Sequence, residues 1–328
     1  MKWMIIQSAA MTLFGALLIA FVYSRFVEKR SLQSWMAERL LGLVSAKRQM
    51  QTTDEAKQQK ALAALSNSNE KPFSLPKLPF RVEEQQIEGM QVFVWNDRQD
   101  PQQRVILYLH GGAYVAQPLP FHFIGVEEMA RELDARVVFP IYPKLPHYTY
   151  REVFPKLEGL YRRVLQETDP AFLTLMGDSA GGGMALALAM HVRNQGLPQP
   201  KDIILLSPWL DIHTDHPDIE KYADKDPMLY APALRGLGTI WAGGSQYTDS
   251  WYVSPLFGDF HHLGRISLFV GTHEIFLPDC EKLHHMLTEQ GIAHHYYEAD
   301  KMNHVYVLYP IPEAKKDREN IVNRIREA

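Results

Sequence analysis

Ala171-Phe172-Leu173-Thr174-Leu175-Met176 runs into Gly177-Asp178-Ser179-Ala180-Gly181, and then into Gly182-Gly183-Met184-Ala185-Leu186-Ala187-Leu188-Ala189. The first six residues read as a buried strand, and the stretch from Gly182 to Asn194 reads as a helix of small and apolar residues. Only a sharp turn separates the two. A glycine on each side of Ser179 allows that turn and lifts the serine hydroxyl above the end of the strand. Gly-x-Ser-x-Gly is a modest signal by itself; its position between an apolar strand and a small-residue helix gives it weight.

Outward from this stretch, short apolar runs at 91–95, 104–109, 135–140, 203–206, 266–270 and 293–298 read as further strands. Helical patterns lie between and after them at 124–133, 153–167, 279–290 and 312–327. Such alternation predicts an α/β architecture, a mostly parallel sheet flanked by helices, with reactive residues at the carboxyl ends of strands. The 328 residues are 46% hydrophobic and 22% charged, as expected of a globular chain. A net charge of −4 offers no electrostatic footprint for nucleic acid. The single cysteine, Cys280, excludes an internal disulfide and any cysteine-built metal cage.

A serine hydroxyl becomes a nucleophile only when a base takes its proton. His304, in Met302-Asn303-His304-Val305-Tyr306, follows the last expected strand and precedes the final helix. His284, His285, His294 and His295 are clustered in sequence but carry no zinc-protease spacing, so no metal site is expected. The imidazole in turn needs a carboxylate to fix its tautomer. Glu274 leaves the strand 266–270 through Gly271-Thr272-His273 and is the preferred acid. Asp279 is the rival, but directly after Pro278 it reads as a helix cap. Finally, the strand 104–109 ends in His110-Gly111-Gly112-Ala113-Tyr114. Consecutive glycines bring backbone N–H groups close to a developing oxyanion, joined by the N–H of Ala180 after the serine.

Residues 3–23 contain no charge and are bracketed by Lys2 and Arg25. As a helix they extend about 31 Å, which predicts a single-pass N-terminal membrane anchor or uncleaved signal over residues 1–24. Gln7, Ser8, Thr12 and Gly15 dilute its hydrophobicity. Lys2 on one flank and Arg25, Lys29 and Arg30 on the other leave the side of the remaining chain open. Residues 26–50 read as an amphipathic helix with Leu32, Met36, Leu40 and Leu43 on one stripe, packing on the body or lying at a lipid interface. A polar segment at 51–70 and Pro72, Pro76 and Pro79 complete a lead-in, so that 25–79 precede a catalytic domain at 80–328.

Together the chain resembles the α/β-hydrolase superfamily, in its hormone-sensitive-lipase-like esterase branch. The resemblance rests on His110-Gly111-Gly112 and Gly177-Asp178-Ser179-Ala180-Gly181-Gly182, in the expected order of serine, acid and histidine. It extends through Tyr142-Pro143-Lys144-Leu145-Pro146-His147, Ser207-Pro208-Trp209-Leu210-Asp211, Asp226-Pro227-Met228-Leu229 and Ser254-Pro255-Leu256. It implies a serine carboxylesterase for small or medium acyl esters, needing no cofactor, with Ser179 as nucleophile, Glu274 as acid and His304 as base. Gly112, Ala113 and Ala180 would donate to the oxyanion, with Gly111 in the supporting turn. It also implies a helical cap, from residues 26–50 and an insertion at about 211–262, where Tyr222, Met228, Leu229, Tyr230, Leu237 and Trp241 are candidate pocket residues. The chain departs from the branch at Ala113, where a third glycine is usual, and at Glu274, where aspartate is commoner. A serine peptidase or amidase and a non-catalytic ligand-binding module are the other readings of the same residues.

Overall fold

Each apolar run expected as a strand contributes to one sheet, joined by a strand that no apolar run announced. In the computed structural model, which describes residues 2–44, 47, 69 and 71–327, the strands are β1 (Glu83–Ile87), β2 (Met90–Trp95), β3 (Val105–Leu109), β4 (Arg136–Ile141), β5 (Leu173–Asp178), β6 (Asp202–Leu206), β7 (Arg265–His273) and β8 (His294–Asn303). Their order across the sheet is β1-β2-β4-β3-β5-β6-β7-β8. The pairs β1/β2 and β2/β4 are antiparallel, and every other pair is parallel. β3, β5 and β6 are buried along their whole length, which is why they read as unbroken apolar runs.

The helices are α1 (Lys2–Val22), α2 (Leu32–Val44), α3 (Pro120–Leu133), α4 (Tyr150–Glu167), α5 (Ser179–Asn194), α6 (Glu220–Ala223), α7 (Ala231–Ala242), α8 (Leu277–Glu289) and α9 (Pro312–Arg326). One face of the sheet packs Val153, Leu157 and Leu160 of α4, the length of α5, and Leu283 and Leu287 of α8. The other packs Phe123, Val126 and Met129 of α3 against Ile321, Val322 and Ile325 of α9. Helix α5 runs beneath the centre of the sheet. A Cβ at Gly181 would collide with the carbonyl oxygen of Leu109, so this glycine sets how close α5 comes to β3.

Some boundaries differ from the sequence reading, each for a local reason. β1 is Glu-Glu-Gln-Gln-Ile, an exposed edge strand paired on one side only, so no apolar alternation marks it. Residues 171 and 172 belong to a 3-10 turn, capped by the Asp169 side chain, rather than to β5. α3 starts at Pro120, whose missing N–H is tolerated in a first helical turn. β8 continues to Asn303, so His304 follows its last residue directly.

At the N-terminus, α1 is followed by a π-helical turn (Tyr23–Val27) and then by α2. The amphipathic helix expected over 26–50 therefore begins at Leu32, while most of its last positions and of the polar segment 51–70 lie outside the described residues. α2 is clamped onto the body by Glu38, whose carboxylate lies 2.6 Å from the Arg30 guanidinium and 2.8 Å from His273 Nδ1. Burial alone would raise the Glu38 pKa, but the hydrogen bonds from His273 and Arg30 prevail and hold it at about 2. The expected membrane span is not supported. The segment is helical, yet among the described residues no helix is long and apolar enough to cross a membrane. The polar dilution by Gln7, Ser8, Thr12 and Gly15 works against a span.

Candidate active site

Three strand ends and one loop converge above the sheet. Ser179 opens α5 directly after β5, with a left-handed φ of 53° that only a sharp turn imposes on a non-glycine residue. Its Oγ lies 2.9 Å from Nε2 of His304. On the other side of the ring, His304 Nδ1 lies 2.7 Å from Glu274 Oε2. A carboxylate only accepts, so Nδ1 carries the proton and Nε2 is left to accept from the serine hydroxyl. All three side chains are buried. Burial alone would lower the His304 pKa, but the Glu274 carboxylate outweighs it and leaves the group above the ordinary 6.5.

Glu274 is itself held on both oxygens. Its Oε1 accepts from the Ser207 hydroxyl at 2.7 Å and from the Gly271 N–H at 2.8 Å. Ser207 also accepts from the N–H of Val305 at 3.0 Å, so one hydroxyl ties the acid to the residue after His304. A second buried carboxylate, Asp226, accepts from the N–H groups of Met228 and Leu229 at 2.7 and 2.8 Å and from Ile275 at 3.0 Å. It ties the stretch 226–229 to the residue next to Glu274. Burial raises its pKa, against the pull of His304 and those three N–H donors. Sequence reasoning missed the supporting roles of Ser207 and Asp226, although both stand in stretches that carried the resemblance. Asp279, the rival acid, sits in the first turn of α8, while Phe276 occupies the cap position expected of it. Burial, aided by Asp211, pushes its carboxyl up to about 7.

The loop after β3 supplies the remaining groups. Gly112 has a φ of 118°, and a Cβ there would press on the Ala116 carbonyl at 2.9 Å, so glycine is required. Among the described residues the N–H groups of Gly112 and Ala113 have no acceptor. The N–H of Ala180, in the first turn of α5, has none within its helix either. The Gly111 N–H differs, because it donates to Asp178 Oδ1 at 2.8 Å. That bond commits the Gly111 N–H within the turn and leaves Gly112, Ala113 and Ala180 as the candidate donors. Asp178 also accepts from the Tyr108 hydroxyl at 2.7 Å. Burial would raise its pKa, but His122, Tyr108 and the Gly111 N–H together hold it below the ordinary carboxylate value.

An aromatic stack borders these groups. Trp241 of α7 lies on Tyr114 at 4.2 Å between ring centroids, Tyr114 on Trp209 at 5.4 Å, and Trp209 on Phe276 at 5.9 Å. Phe276 then meets His304 edge-on at 5.2 Å. Of the other cap candidates, Leu237 is buried in the core, while Tyr222 and Leu229 are half-buried against it. Met228 Sδ lies 3.9 Å from the amide of Asn303, the residue before His304, and 3.4 Å from the Tyr309 hydroxyl. Tyr230 is half-buried at the start of α7. Of the four clustered histidines, His284 and His294 are 2.7 Å apart, and among the described residues no group of three metal-ligating side chains assembles.

Comparison with known proteins bears on the fold and the family. A family profile described as the alpha/beta hydrolase fold matches residues 106–308. A triacylglycerol lipase of Mycobacterium tuberculosis is 29% identical over 209 residues, covering 63% of this chain and 43% of the lipase. The match thus spans less than half of that relative. An esterase of Acinetobacter venetianus is 28% identical over 217 residues, covering 65% of this chain and 71% of the esterase. Among solved structures, an esterase from the bacterial hormone-sensitive lipase family superposes with a TM-score of 0.74 at 25% identity, covering 88% of this chain and 96% of that one.

Proposed function

Since the chain belongs to the α/β-hydrolase family of carboxylic ester hydrolases, in its hormone-sensitive-lipase-like branch, we propose that it is a serine carboxylesterase acting on small or medium acyl esters through an acyl-serine. The observation that carries this reading is the relay of 2.9 Å from Ser179 Oγ to His304 Nε2 and 2.7 Å from His304 Nδ1 to Glu274. Ser179 attacks the ester carbonyl as His304 takes its proton. The N–H groups of Gly112, Ala113 and Ala180 receive the oxyanion, where each donor of this kind contributes about 2.7–4 kcal/mol to the transition state. His304 then protonates the departing alcohol. Water, deprotonated by the same nitrogen, attacks the acyl-serine, and His304 returns that proton to the Ser179 oxygen as the acid leaves. Glu274 keeps the proton on Nδ1 and stabilises the imidazolium that forms twice per turnover.

Two measurements test this reading. Side-by-side turnover of p-nitrophenyl acetate, p-nitrophenyl butyrate and a peptide library is expected to favour the esters; faster cleavage of peptides would make the chain an amidase. The second is the pH profile of kcat/KM, which reports the free enzyme. Because only neutral His304 can accept the proton, activity is lost as pH falls through its pKa. That pKa is raised, so the midpoint of the acid limb is expected above the ordinary 6.5. A limb centred at or below 6.5 would argue against the Glu274–His304 coupling.

A further inference from the structure

The π-helical turn and α2 carry a row of apolar side chains that nothing in the described structure covers. Met36, Leu40 and Leu43 recur at the spacing of one helical face and are 48%, 60% and 63% exposed. Phe26 and Val27 in the preceding turn are 71% and 58% exposed. Phe21 and Val22 at the end of α1, and Tyr23 at the start of the π turn, are exposed as well. Scattered exposed leucines need no explanation, but eight exposed large apolar side chains between Phe21 and Leu43 do.

Its charge points to the occupant. The exposed charged side chains from Phe21 to Leu43 are Arg25, Lys29 and Arg39, all cationic. The two acids of this segment are turned inward. Glu28 pairs with Arg30 at 3.3 Å, and Glu38 is taken by Arg30 and His273. An apolar face rimmed by cations alone is complementary to an anionic lipid surface, into which the leucines sink while the basic groups stay among the headgroups. A second copy of the same face would bring like charges together.

The inner face of α2 meets the active-site side of the molecule. Ser34 Oγ reaches Met302 Sδ at 3.5 Å, and Glu38 bonds His273, the residue before Glu274. Farther along, Gly42 faces Pro227 of the cap, and Lys47 donates to the carbonyls of Ala223 and Asp226 at 2.5 Å. We propose that the π turn and α2 form a docking platform for an anionic bilayer, so that hydrophobic esters pass from lipid beneath the cap to Ser179. The docking stands on the exposed face; the delivery of esters rests on the esterase reading above.

The test uses the full chain and vesicles of phosphatidylcholine, with or without phosphatidylglycerol, that hold a decanoate ester of p-nitrophenol. Water-soluble p-nitrophenyl acetate is measured in the same suspensions. Wild-type turnover of the vesicle-held ester is expected to rise about tenfold with phosphatidylglycerol. The double variant L40E/L43E is expected to lose about tenfold on the vesicle-held ester while staying within about twofold on acetate, since both positions are exposed in water. Equal losses on both esters, no loss on either, or indifference to phosphatidylglycerol would overturn the proposal. So would a dimer in sedimentation that L40E/L43E dissolves without changing vesicle rates, which would assign the face to a second copy. If the wild type cleaves neither ester, the esterase reading fails instead, and flotation of wild type against L40E/L43E with the anionic vesicles decides the docking separately.

Discussion

Ser179→Ala is expected to lower kcat on p-nitrophenyl acetate by roughly 10⁴- to 10⁶-fold, the range found when a nucleophile is removed from a relay of this kind. Among the described residues the hydroxyl has one hydrogen-bond partner, His304 Nε2, so its loss removes the nucleophile and leaves the rest of the arrangement standing. Alanine tolerates the left-handed φ of 53° no worse than serine, so the turn between β5 and α5 is retained. Circular dichroism and the thermal midpoint are therefore expected to stay close to wild type. What activity remains is expected to come from the N–H groups of Gly112, Ala113 and Ala180, proposed above to bind the oxyanion, acting on water. A loss smaller than tenfold in a folded variant would mean that another group attacks the ester.

Glu274→Gln is the second large effect, and its cause is a conflict of donors. The carboxylate accepts on all three sides, from His304 Nδ1, from the Ser207 hydroxyl and from the Gly271 N–H. If the glutamine amide nitrogen takes the Oε1 place, it faces the Gly271 N–H donor to donor. If the amide is flipped, its nitrogen donates to His304 Nδ1 and forces the ring proton onto Nε2, toward the serine it should deprotonate. The first arrangement leaves a buried donor unpaired and removes the anion that stabilises the imidazolium, the second puts the ring proton on the wrong nitrogen, and kcat is expected to fall by about 10³- to 10⁴-fold. The acid limb of kcat/KM should also move to lower pH, because the anion that raises the His304 pKa is gone. Glu274→Asp keeps the charge but is one methylene too short to reach His304, Ser207 and Gly271 together, so it should lose less. A Gln variant with near wild-type kcat and an unmoved limb would contradict the role given to Glu274.

How much of this was legible in the sequence depended on whether local chemistry or chain crossing decided it. Buried parallel strands such as β3 and β5 announce themselves as apolar runs, and the glycines around Ser179 mark the turn between β5 and α5. Strand ends then narrowed the search, and the structure brings Ser179, Glu274 and His304 within hydrogen-bond distance. β1 escaped notice because an exposed edge strand of Glu and Gln has no face to bury. The supports of Glu274 escaped for another reason. Ser207 lies after β6 and Asp226 in the cap, and only the packed fold brings them to residues 271–275. The commitment of the Gly111 N–H to Asp178 is likewise a tertiary contact, invisible in the run His110-Gly111-Gly112. The N-terminal segment is helical as read, but the single-pass anchor expected there is not supported, because among the described residues no helix is long and apolar enough to cross a membrane.

Fluorophosphonate labelling followed by peptide mapping tests the central claim most directly, because such probes react with a serine only when a neighbouring base has activated it. The expected result is one adduct per chain on the peptide holding Ser179, absent in Ser179→Ala and slowed by orders of magnitude in His304→Ala. No adduct on the folded protein, an adduct on another residue, or labelling of Ser179 at the same rate without His304 would contradict it.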